Sequence, residues 1–161
     1  MRLEFKREVP KKQEFRKKGR SFANTFGGDI IIGAEEDGSG KLIGLPGVEK
    51  AQNLKQTFVQ WCFDGLAPPF SPLISDPIPI PGDQSGSVIV VRVIESEEAP
   101  HFINGRRGCY IRTDEYSHRF EPRLTASEEL RHLFDRRALS VRRRMDLLAR
   151  ADARFESFVE A

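Results

Sequence analysis

Residues 21 to 28 read Ser-Phe-Ala-Asn-Thr-Phe-Gly-Gly and run straight into Asp29-Ile30-Ile31-Ile32-Gly33. Paired glycines take left-handed conformations that end a helix and turn the chain, whereas a run of β-branched residues suits a strand covered on both faces. A helix therefore stops here and hands over to a buried strand. Upstream, Phe15, Phe22, Ala23 and Phe26 fall at helical spacing, with Gly19 on the same stripe where a neighbouring element can approach closely. The polar face of that helix is almost all Lys and Arg. In the turn itself, Asn24 or Thr25 is expected to bond backbone while Gly27 and Gly28 redirect the chain.

The remaining elements follow from periodicity. Leu3-Glu4-Phe5-Lys6 alternates, which predicts a short strand with Leu3 and Phe5 on the core side and Glu4 and Lys6 opposite. Asp37 to Gly40 marks a tight turn, with Lys41 to Gly44 returning as a partner strand. Val48, Ala51, Leu54, Phe58, Trp61 and Cys62 predict an amphipathic helix over 48–63. Six prolines between Ala67 and Gly86 restrict that stretch to a sheet edge or a connection. Ser87 to Ile94 is the strongest strand, and Gly108 to Thr113 a shorter one. Thr125 and Glu128 form a capping box that opens a helix or helix pair running to about Val159. Phe134, Val141, Leu148 and Phe155 recur every seven there, accompanied by Ala138, Met145 and Val159. Ser140 can act as an internal cap, and Asp152 interrupts the register. The expected class is α+β, with a mixed, largely antiparallel sheet flanked by helices. The expected organisation is a domain over 1–122 and a helical extension over 123–161.

Composition narrows the function. In 161 residues, 39% hydrophobic and 31% charged side chains describe a folding chain. No apolar run is long enough to span a bilayer and the first residues lack a signal-peptide core, so a cytoplasmic location is expected. Cys62 and Cys109 have no CxxC spacing or histidine cluster, which argues against a zinc site. The glycine patterns of phosphate-cradling loops are missing, as is a Ser, His and Asp arrangement around Asn24. Charge is unevenly spread, with nine Lys or Arg against three Glu in the first 20 residues.

Taken together, Leu3-Glu4-Phe5-Lys6, the run from Ser21 to Gly33, the acidic turn, Leu42-Ile43-Gly44-Leu45, Pro100-His101 and Tyr110-Ile111-Arg112 resemble the Schlafen AlbA-like domain over residues 1 to about 120. The resemblance implies a domain contacting nucleic acid, DNA or RNA, in a regulatory setting. Some relatives are metal-dependent ribonucleases with three acidic residues. Glu4 matches the second of these and Glu35 or Glu36 the third, while the first position falls before Met1.

Three readings follow. In the first, Lys11, Lys12, Arg16, Lys17, Lys18 and Arg20 grip a phosphate backbone by releasing its counterions. Arg106, Arg107, Arg112 and Arg119, interleaved with His101, Tyr110, Tyr116 and His118, form a second basic group able to stack on bases. In the second, Glu4 with Glu35 or Glu36 holds Mg²⁺ or Mn²⁺, and Lys6 neutralises charge on the phosphate during cleavage. The bland alternative is a solvated strand face and an ordinary polar turn. In the third, residues 125–160 form a homodimer or dock another partner.

Overall fold

A strand too short to stand alone is completed by chain that returns beside it, and that requirement organises the whole molecule. The computed structural model describes residues 3–49, 53–82, 86–103, 108–112 and 122–159. Strand β1 (Leu3–Lys6), helix α1 (Lys12–Asn24) and strand β2 (Gly28–Ile32) form one unit. Because α1 carries the chain back, β1 and β2 pair in parallel, Leu3 opposite Asp29 and Lys6 opposite Ile32. Next come β3 (Glu35–Glu36), β4 (Leu42–Gly44), α2 (Leu54–Phe63), β5 (Leu66–Ala67), β6 (Leu73–Ile74), β7 (Ile78–Pro79) and β8 (Ser87–Val93). The short strands β9 (Phe102–Ile103), β10 (Tyr110–Ile111) and β11 (Arg123–Leu124) lead to one long helix, α3 (Ser127–Val159).

The main sheet has the order β1-β2-β8-β6, with β7 also on β8, and every pairing beyond β1/β2 is antiparallel. The class is therefore α+β with a mixed, largely antiparallel sheet, as the element order predicts. The proline-rich stretch supplies only the two-residue strands β6 and β7 at the edge, in keeping with proline's missing amide. Ile30, Ile32, Ile89, Val91 and Val93 meet Phe15, Phe22, Phe58 and Cys62 from the helices in the principal core. Phe15 stacks on Phe58 at 4.5 Å between centroids, and Trp61 meets both edge-on. Gly19 faces the Phe70 ring, the close approach its position predicts.

Several expectations are corrected. Glu4 lies in register with the buried Ile30, so Glu4 and Lys6 point to the helix-covered face and Leu3, 41% exposed, to the other. Alternation alone cannot tell which face is inside. Nor is β2 covered equally on both faces, since its outer side carries the Asp29–Arg92 ion pair at 2.8 Å. Phe26 lies beyond the end of α1 and is 68% exposed. Strand β4 pairs with Glu35–Glu36 instead of the isoleucine run, so those glutamates are strand and not turn. Val48 bridges to Ser87 ahead of α2. Ala51 and residues 113–121 lie outside the described residues.

At the start of α3, Glu129, and not Glu128, bonds the Ala126 amide at 2.7 Å, while Thr125 reaches the Cys109 carbonyl. The helix continues unbroken through Ser140, whose hydroxyl donates to Glu97 at 2.6 Å, and through Asp152. Leu130 and Leu133 pack against Ala99, Cys109 and Ile111 in a second cluster. Arg136 bonds the carbonyls of Asn24 and Ser96, fastening α3 to the end of α1. No helix among the described residues is long and apolar enough to cross a membrane.

Candidate nucleic-acid interface

Among the described residues, packing sets the cations beneath α1 apart from those on its outer side. Lys18 sits one turn after Glu14 on the side of α1 facing the sheet, where it is 8% exposed. Its ammonium contacts Glu4, whose other oxygen accepts from Arg112 at 2.5 Å. Lys6 lies 3.3 Å from Glu4 and 2.9 Å from Glu14. One carboxylate thus serves three cations beneath the helix. Burial pushes the Glu4 pKa up, but the hydrogen bonds from Lys18 and Arg112 outweigh it, holding the carboxyl below its usual value. Burial dominates at Lys18 and lowers its pKa. Lys6 is also disfavoured by burial, yet Glu14 and Glu4 prevail and raise it.

This arrangement does not fit a divalent cation. A metal site concentrates carboxylate oxygens, whereas the Glu4 oxygens already accept from positive groups. Glu35 is bound elsewhere, accepting from Arg7 at 2.8 Å, and Glu36 is exposed on β3. No group of three or more His, Cys, Asp or Glu able to hold a metal occurs among the described residues.

The second set faces outward. Lys11 and Lys12 are exposed, and Arg16 and Lys17 are half-buried. Arg16 donates to the Trp61 carbonyl at 2.7 Å, its guanidinium lying where a Cβ on Gly65 would sit. The Lys17 ammonium lies 5.0 Å from the Tyr110 ring centroid, and the Arg20 guanidinium 4.3 Å from it. Such cation–π contacts hold a positive charge in place without neutralising it. Among the described residues, no ion pair to a carboxylate involves Lys11, Lys12, Arg16 or Lys17.

A family model described as "Schlafen, AlbA_2" matches residues 1–121. The chain belongs to the Schlafen AlbA_2 family. No curated protein matches it. Among solved structures, the DIP2311 protein of Corynebacterium diphtheriae is similar, with a TM-score of 0.49 and 18% identity over 76% of this chain. The match covers 24% of that protein's chain.

Within this AlbA_2 domain the Ala23 to Gly28 motif acts as a clamp. The buried Asn24 side chain accepts from the His101 amide at 2.7 Å and donates to the His101 and Tyr110 carbonyls at 3.2 and 2.9 Å. Thr25 accepts from the Arg112 amide at 3.0 Å. Both side chains therefore bond backbone, and through them α1 positions β10 and the Arg112 that follows it.

Of the second basic group, Arg112 is fully buried, with its guanidinium 4.2 Å from the Phe22 ring centroid, and offers no surface charge. Arg20 of the first group, at 2% exposure, is likewise internal. Arg106, Arg107 and Arg119 lie outside the described residues, as do Tyr116 and His118. His101 is buried, its ring Nδ1 2.7 Å from the Pro68 carbonyl, and burial lowers its pKa. The residues missed by sequence reading are Glu14, Arg7 and Gly65. Their partners lie far along the chain or on another element, so spacing carried no signal for them.

Proposed function

We propose that this AlbA_2 domain contacts the phosphate backbone of nucleic acid through the outward cations of α1, Lys11, Lys12, Arg16 and Lys17, beside the Tyr110 ring. The observation supporting this reading is that, among the described residues, none of the four pairs with a carboxylate, whereas Lys6 and Lys18 are engaged by Glu4 and Arg7 by Glu35. A cation without a carboxylate neighbour keeps its field available to displace counterions from a polyphosphate. Tyr110 favours the same surface, because its ring holds the Lys17 ammonium there. Binding is favoured over strand cleavage, since Glu4 is engaged by Lys18 and Arg112.

Fluorescence anisotropy with single-stranded RNA, single-stranded DNA and duplex DNA at several salt concentrations tests it. Four phosphate contacts give a slope in log K against log salt of about −3 for single strands and about −4 for duplex DNA. Replacing Lys11, Lys12 and Lys17 together by Glu is expected to lower affinity by more than tenfold at low salt, with the melting temperature unchanged. Wild-type affinity and slope in that variant would overturn the proposal. Lys18 and Arg20 are unsuitable for the test, because substitution there disturbs the core.

A further inference from the structure

Helix α3 outruns the body it packs on. Leu130 and Leu133 enter the second core cluster, and Arg136, Ser140 and Arg144 tie the same side of the helix to Glu95, Glu97 and Glu98. A residue next in sequence points about 100° away around the helix. The seven-residue stripe accordingly faces elsewhere, with Phe134 49%, Val141 42%, Met145 65%, Leu148 65%, Phe155 69% and Val159 66% exposed. Large apolar side chains repeated in this register are what helix pairing requires.

We propose that a second copy of this chain covers the stripe as an antiparallel helix pair, Met145 opposite Leu148 of the second copy. This reading is independent of the nucleic-acid proposal, because it uses a different surface. Charge selects both occupant and orientation. Asp152 is the acidic interruption of the stripe, and in a parallel, in-register pair it faces its own copy, a like-charge contact. In the antiparallel register Asp152 lies opposite Val141 of the second copy, flanked there by Arg137 and Arg144. Arg144 contacts Glu98 at only 3.3 Å and remains 47% exposed, so it can serve both acids. Size complements charge. The same register sets Ala138 against Phe155 and Phe134 against Val159, and the overlap runs about 39 Å. The contact is isologous and closes at two copies.

Sedimentation of the full chain across concentrations tests the proposal, with circular dichroism confirming that each variant is folded. Wild type is expected to dimerise, and Leu148→Glu to weaken the dimer at least tenfold. Asp152→Arg is expected to weaken it as well, and adding Arg137→Glu with Arg144→Glu to restore it. Orientation is read by cysteine cross-linking, since Cys62 and Cys109 are buried. Copies carrying Ala138→Cys are expected to cross-link to copies carrying Phe155→Cys. Neither is expected to cross-link to itself, because like positions lie about 25 Å apart along an antiparallel pair. A wild-type monomer at every concentration overturns the proposal, as does self-cross-linking of either variant.

Discussion

Arg112 places a guanidinium nitrogen 2.5 Å from a carboxylate oxygen of Glu4, joining residues 108 positions apart. The contact closes the layer between α1 and the sheet, with Lys18 on the other oxygen. Such a cluster demands all its members, because a buried charge left alone is far costlier than the pair.

Removing either end of that pair is therefore expected to destabilise the domain strongly. Glu4→Gln and Arg112→Met should each lower the unfolding free energy by roughly 3–5 kcal/mol. Urea unfolding with an unchanged m-value measures this. A loss below about 1 kcal/mol would mean that the cluster is well hydrated.

Acid should destabilise the fold in two stages. The folded His101 pKa lies below the ordinary 6.5 because burial penalises the imidazolium, so the unfolded chain takes up a proton first. Stability then falls as pH drops below about 6.5 and levels off below the folded pKa. Glu4 is also lowered, from an ordinary 4.5, and adds a second loss as pH falls below that value towards its own folded pKa. Melting temperatures between pH 7 and 3 check this. His101→Gln is expected to flatten the upper stage and Glu4→Gln the lower one.

The two glycines of the turn should fail for different reasons. Gly27 has φ +72°, and a Cβ there would lie 2.6 Å from the Val93 carbonyl oxygen. At Gly28 the Cβ would fall 2.2 Å from a Phe22 ring carbon, forcing a core side chain to move. Gly28→Ala is expected to cost roughly 1–3 kcal/mol through overpacking, and pairing it with Phe22→Leu should recover part of the loss. Gly27→Ala should gain nothing from that second change, because its obstacle is backbone. Thermal melts of the two single glycine variants and of each combined with Phe22→Leu decide between these outcomes.

Much of the site was legible in local pattern. The Ser21 to Gly28 run announced a helix stop, a tight turn and a buried strand, because those depend on propensities of neighbouring residues. Local pattern likewise points Asn24 or Thr25 to backbone, but it does not reveal their partners at His101, Tyr110 and Arg112. Alternation in β1 marks two faces without saying which is inner, and Arg112 and Lys18 make the charged face the inner one.

By itself the sequence determined the principal elements β1, α1, β2, β8 and α3, their order and the mixed, largely antiparallel sheet, because periods of two and 3.6 and the glycine and proline positions act within a few residues. Only the tertiary structure decided which cations stay free of a carboxylate partner among the described residues. Lys18, Arg20 and Arg112 look like Lys11 and Lys12 in one dimension. Whether a charge keeps its field or spends it on a buried carboxylate depends on contacts between residues distant in the chain, which local pattern does not encode.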